Sequence, residues 1–237
     1  MKSFYTLLLA SIVSLSVSAQ NVDADKARAA QNKALRDSLS KATEVLAYHP
    51  DSIDLRLKKA AWNIQLGQWQ YAKDDLDKVL FLNNTSIAGL FYRAFVNEKL
   101  LRYNFARLDY QNLLVLVPGN FQAQLGLALL NEKDKHYTEA YDGINSLIEQ
   151  YPDSAMAYAA RGGMEKERGM LELAEFDYAK AMELDAGNED FAFNHVDILI
   201  QLGRKDEAYR DLKKLLDAGC QPGRLQGFYA RLKKKKK

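Results

Sequence analysis

Residues 72–80, AKDDLDKVL, return as ARLDYQNLL at 106–114, AYDGINSLI at 140–148, AEFDYAKAM at 174–182 and AYRDLKKLL at 208–216. Each stretch opens on an alanine, and Ala72, Ala106, Ala140, Ala174 and Ala208 stand 34 residues apart. Four residues on come Leu76, Tyr110, Ile144, Tyr178 and Leu212; seven and eight on come further apolar residues, from Val79 and Leu80 to Leu215 and Leu216. Offsets of four, seven and eight place these side chains on one face of an α-helix. Working backwards, Ala60, Ala94, Ala128, Gly162 and Val196 precede each alanine by twelve residues, with Trp62, Val96, Leu130, Met164 and Ile198 two further on. Each 34-residue unit therefore holds two helices. Gly67, Gly169 and Gly203 fall five residues before the alanine, where one helix must end in a turn of positive φ. Pro118 and Pro152 close two units, and Pro50 marks the same place ahead of the first.

A period of this length belongs to stacked repeat architectures. The pattern resembles the tetratricopeptide repeat family, with five units at 53–84, 87–118, 121–152, 155–186 and 189–220. It keeps the small residues at the family's eighth and twentieth positions, the large one at the twenty-fourth and part of the proline at the thirty-second. It departs at the fourth position, with Arg56, Leu90, Gln124, Tyr158 and Ala192, and at the eleventh, with Asn63, Asn97, Asn131, Glu165 and Leu199. The resemblance implies an all-α fold, a right-handed superhelical α-solenoid of antiparallel helix pairs.

Around the repeats of 51–220, residues 1–19 have the layout of a secretory signal: Lys2, an apolar run from Phe4 to Val17, and Val17-Ser18-Ala19 before a cleavage site. The expected location is extracytoplasmic, in a periplasm or secreted. Residues 20–50 are expected to form a helical cap or degenerate repeat, and 221–237 a closing helix using Leu225, Phe228, Tyr229 and Leu232, followed by a lysine tail. The formal net charge is +2, but without the six positive charges of Lys2 and Lys233–Lys237 the body lies near −4. Lys233, Lys234, Lys235, Lys236 and Lys237 offer weak contact with an anionic surface or envelope polymer, the alternative function for this chain.

The composition excludes several chemistries. A single cysteine, Cys220, allows neither an intramolecular disulfide framework nor a cysteine-built zinc site. No apolar run reaches the roughly 18 residues of a membrane span. His49, His136 and His195 fall in different units, and no phosphate-cradling loop, nucleophile elbow or paired-histidine motif is present. The expectation is a chain that is not an enzyme and uses no cofactor, metal or catalytic residue. Asp74 and Asp75 read as solvated charge on an outer helix face. Pro50-Asp51-Ser52 and Pro152-Asp153-Ser154 read as helix N-caps.

In the family the first helix of each unit lines a concave groove. Carried over residue by residue, its fifth and ninth positions give Leu57, Phe91, Phe95, Leu125, Leu129 and Phe193 as a partner-binding stripe. Ala61, Ala159, Gly163 and Asp197 complete the set, and Glu98, Lys99, Glu132, Lys133, Lys166 and Glu167 form a charged rim. The lysine and asparagine with which some relatives clamp acidic chaperone tails are absent. The resemblance thus implies a protein-protein interaction scaffold that takes an apolar or amphipathic segment, with Phe91 and Phe95 as anchors.

Overall fold

The computed structural model describes residues 22–233, so the expected signal at 1–19 and Lys234–Lys237 lie outside the described residues. Among those residues there are twelve helices and no strand: α1 Val22–Tyr48, α2 Ile53–Gln65, α3 Trp69–Leu82, α4 Ile87–Lys99, α5 Tyr103–Leu116, α6 Phe121–Lys133, α7 Tyr137–Gln150, α8 Ala155–Glu167, α9 Leu171–Leu184, α10 Glu189–Leu202, α11 Lys205–Asp217 and α12 Pro222–Lys233. The described residues fall into two compact units, 22–150 and 151–233.

Within each unit every first helix pairs with the second helix of its own repeat, and that second helix packs on the next first helix. The alanine register explains the pairing. Ala72, Ala106 and Ala140 in one unit, and Ala174 and Ala208 in the other, are wholly buried, because two helix backbones approach closely there. Leu76, Val79, Leu113, Ile144 and Leu147 fill the remaining core of residues 22–150. Gly126 permits a second close approach: a Cβ there would stand 2.6 Å from the Tyr110 ring.

The turns inside the repeats share one backbone solution. The amide five residues beyond the eleventh position reaches back to its carbonyl, as in Gln68 to Asn63 (2.8 Å), Arg102 to Asn97 (2.8 Å), His136 to Asn131 (2.8 Å), Met170 to Glu165 (2.9 Å) and Arg204 to Leu199 (2.9 Å). This bond needs a left-handed residue just before it. Gly67, Gly169 and Gly203 supply it at φ of 69°, 74° and 78°, whereas Leu101 (59°) and Lys135 (63°) adopt it without glycine. The first helices start on capping side chains: Ser86 accepts from Gly89, Asn120 from Ala123, Ser154 from Ala157 and Asn188 from Asp190. Ser52 occupies the same place without a side-chain cap bond.

At the start of the first unit, α1 packs on α2 through its last turns, where Ala42 and Leu46 are buried and Val45 is exposed. At the end of the second unit, α12 buries Leu225 and Leu232 against Ala192, Val196, Ala208 and Leu212. Phe228 and Tyr229 pack on that same cluster.

Candidate functional site

In residues 22–150 the first helices α2, α4 and α6 lie beside one another and present the residues carried over to the groove. Leu57 and Leu129 are half-buried, whereas Leu125 is buried and Phe91 and Phe95 are only 8% and 5% exposed. The two phenylalanines already have partners. Phe95 meets Trp69 edge to face at 6.1 Å and carries the Lys99 ammonium 5.0 Å above its ring. Phe91 meets Tyr92 and Tyr110 in the same manner, at 6.0 and 6.1 Å. They form a floor, and the reachable apolar side chains stand at its ends. Lys133 bridges to Glu98 at 3.1 Å across the two neighbouring first helices, while Glu132 turns inward and is buried.

In residues 151–233 the corresponding face is shorter. Ala159 is buried, and the Tyr178 hydroxyl would stand 3.4 Å from a Cβ on Gly163. Phe193 is covered by the closing helix: Phe228 stacks on it at 5.7 Å with planes 25° apart, and the Arg224 guanidinium lies 4.6 Å over its ring. Asp197 is held by Lys166 (2.5 Å) and by Arg231 of α12 (2.5 Å), and Arg224 also pairs with Glu189. Burial works to raise the Asp197 carboxyl, but its hydrogen bonds with Lys166 and Arg231 outweigh this and hold it below the ordinary range.

The reading of Asp75 as solvated charge is corrected here. Asp75 is buried, facing Arg56 at 3.2 Å and Lys59 at 3.2 Å. It is one of a series: Arg93 with Asp109 (2.7 Å), Arg161 with Asp177 (2.6 Å) and His195 with Asp211 (2.8 Å) join the seventh position of a first helix to its second helix, 16 residues on. Adjacent aspartates look alike in sequence, but only Asp75 falls on the inward side of α3. Recurrence of an opposite charge at a spacing of 16, in step with the 34-residue period, is the signal that finds the series. The third repeat confirms the pairing by losing both members, with Leu127 and Gly143 in their places.

Burial and hydrogen bonding compete over the charge states. The Asp75 carboxyl is pushed up by burial despite Lys59 and Arg56. Asp211 is held low because hydrogen bonds from His195 and Lys214 outweigh its burial. The eleventh position adds to the series: Asn97 donates its amide to Asp109 at 3.2 Å, and Asn131 accepts from Arg107 of the preceding repeat at 3.0 Å. Glu165 takes that position in the fourth repeat. Burial, and then the neighbouring Asp177, push its carboxyl up to about 7 against the pull of Arg161.

No group of three or more histidine, cysteine, aspartate or glutamate side chains fit to hold a metal occurs among the described residues. His49 and His136 are exposed, His195 is a buried partner of Asp211 and Glu175, and Cys220 is buried with its thiol pushed up by burial. No described helix is long and apolar enough to cross a membrane.

These paired helices, their shared turn and their alanine contacts define a tetratricopeptide-repeat fold. No protein-family model matches the chain. Over 108 residues, 44% of its length, it is 29% identical to sperm-associated antigen 1 of Homo sapiens, of which it spans 12%. Its fold is similar to that of a tetratricopeptide repeat protein from Parabacteroides merdae ATCC 43184, with TM-score 0.71 and 22% identity over 86% of this chain and 80% of that one. It is also similar to YrrB, a TPR protein with an unusual peptide-binding site, with TM-score 0.51 and 18% identity over 80% and 97% of the two chains.

Proposed function

We propose that this chain is a non-enzymatic protein-interaction scaffold of an exported or envelope-associated assembly, whose first-helix face in residues 22–150 takes an apolar or amphipathic segment of another protein. The observation that carries this reading is the arrangement of that face. Leu57 and Leu129 are reachable at the two ends of a floor of Phe91, Phe95 and Leu125, and Lys99, Glu98 and Lys133 stand along its edge. An apolar floor with a charged edge suits one face of an amphipathic helix or extended peptide, the charges fixing its register. The peptide-binding site of YrrB supports a peptide as the class of ligand.

A photo-crosslinking amino acid at Leu129 tests this, with one at Glu149 on α7 as the control. The expected result is a crosslinked partner from the extracytoplasmic fraction at 129 and not at 149, lost on Leu57→Glu with helicity unchanged. Equal crosslinking at both positions overturns the reading. Export is tested separately: the layout of residues 1–19 leads us to expect a mature chain whose mass begins at Gln20.

A further inference from the structure

Where the first, second and fourth repeats carry Lys59, Arg93 and Arg161 at the seventh position, the fifth carries His195, a side chain buried in the fold. Arg93 shows what the position does when its charge is permanent. Its guanidinium reaches forward to Asp109 of α5 at 2.7 Å and back to Asp77 of α3 at 3.1 Å, so α4 is fastened to the second helix on either side of it. His195 repeats this arrangement with a ring: Nδ1 faces Asp211 of α11 at 2.8 Å, and Nε2 faces Glu175 of α9 at 3.3 Å. A carboxylate only accepts, so both contacts are hydrogen bonds only when both ring nitrogens carry protons. The neutral ring has a single N–H, and its other nitrogen turns a lone pair towards a carboxylate oxygen.

We propose that His195 is a proton-dependent tie: the doubly protonated ring fastens α10 to both α9 and α11, and loss of one proton releases α10 from α9, where the contact is the longer. The junction between the fourth and fifth repeats is then closed at low pH and loosens as pH rises. Arg93 builds the same three-helix bridge in a form that no ordinary pH undoes. The exchange of arginine for histidine at an equivalent backbone position therefore makes one junction of the repeats responsive to protons.

The surroundings favour local release over collapse. The charged groups that face the ring are Glu175 on α9, Arg204 in the turn ahead of α11, and Glu207, Asp211 and Lys214 on α11. Each carboxylate served by the ring also has a permanently charged partner: Arg204 for Glu175 at 3.2 Å, and Lys214 for Asp211 at 3.0 Å. Neither is left as a lone charge when the ring becomes neutral, and a stranded charge is what makes a broken buried pair costly. What the proton controls is carried outward by α10, because that helix is the seat of the closing helix. Phe193 lies under Phe228, and Asp197 holds Arg231 of α12. Loosening α10 from α9 therefore frees α10 and α12 together from the fourth repeat.

The test uses the full chain carrying Glu165→Gln, which removes the carboxyl of the same unit that is pushed up to about 7. Hydrogen exchange of the Glu189–Leu202 amides, corrected for the intrinsic effect of pH, should quicken at least about tenfold between about pH 5.5 and about pH 8.5. His195→Arg should keep these amides protected at both values, and His195→Gln should leave them fast at both. Glu175→Gln is an independent arm that spares the buried site, since the Glu175 side chain is 22% exposed. It removes one end of the tie and should lower the proton affinity of the His195 ring, followed by NMR, at least about threefold. Exchange that keeps its pH dependence in His195→Arg, or a ring whose titration ignores Glu175→Gln, overturns the proposal.

Discussion

The second and fourth repeats bury the same polar station in two chemical forms. In the second, Arg93 grips Asp109 with two nitrogens, and the neutral amide of Asn97 donates a third bond to it. In the fourth, Arg161 grips Asp177 in the same way, but Glu165 replaces the amide. A carboxyl can donate to Asp177 only when it holds a proton. One substitution at an equivalent backbone position thus replaces an amide that always carries its protons with a carboxyl that burial and Asp177 push up to about 7. The third repeat, with Leu127 and Gly143, has the same helix pair with no ion pair, so the fold does not require this station.

The sharpest way to break this comparison is to strand one charge. Asp109→Ala leaves the Arg93 guanidinium half-buried without its main acceptor and removes the partner of Asn97. The expected loss is about 3 kcal/mol in urea unfolding of the full chain. Replacing both members as the third repeat does, with Arg93→Leu and Asp109→Gly together, should cost less than about 1.5 kcal/mol, a coupling visible in the double-mutant cycle. If the two variants unfold alike, the ion pairs are not a unit and the reading of the third repeat fails.

A smaller effect, and one with a direction in pH, belongs to Glu165. Its folded pKa is about 7 against an ordinary value of about 4.5, and Arg161 and Asp177 are the charged groups that face it. Between those values the folded chain keeps a proton that the unfolded chain releases. Stability contributed here is therefore full below the ordinary value and declines as pH rises towards 7. Glu165→Gln supplies the donor at all pH values, as Asn97 does. It should stabilise the chain by about 1–2 kcal/mol at pH 8 and leave it nearly unchanged at pH 5. Equal effects at both pH values would show that Glu165 is solvated and takes no part in the station.

Much of the architecture was legible because it rests on small residues in a fixed register. Ala72, Ala106 and Ala140 mark buried helix contacts in one unit, and Ala174 and Ala208 do so in the other. The last helix, α12, rests instead on an apolar face, with Leu225 and Leu232 buried and Phe228 packed on their cluster. The charged residues were misread because a single letter does not say which way a helix turns: Asp74 is exposed and Asp75 buried. For the candidate residues the sequence pattern carried helix position but not accessibility. Positions five and nine do lie along the first helices, yet Trp69 of α3 covers Phe95, Tyr110 of α5 joins the adjacent Tyr92 against Phe91, and Phe228 of α12 covers Phe193. Exposure depends on neighbours distant in sequence, which a periodic pattern does not carry.

The smallest effect concerns the turn that all five repeats share. The fourth repeat uses Gly169 at φ 74°, and the third uses Lys135 at φ 63°. The left-handed conformation costs an L-residue with a side chain roughly 1 kcal/mol, which glycine avoids while surrendering more backbone entropy on folding. These terms partly cancel, so Lys135→Gly should stabilise the chain by only about 0.5–1 kcal/mol. The reverse change, Gly169→Ala, should cost about 1 kcal/mol, although no atom stands within 4 Å of the added Cβ, because the strain lies in the backbone. Urea midpoints shifting in opposite directions at unchanged m-value would show that the two turns are one device made from different residues. A neutral Gly169→Ala would instead mean that the turn relaxes, and that the left-handed residue is a consequence of the helix pair and does not help to set it.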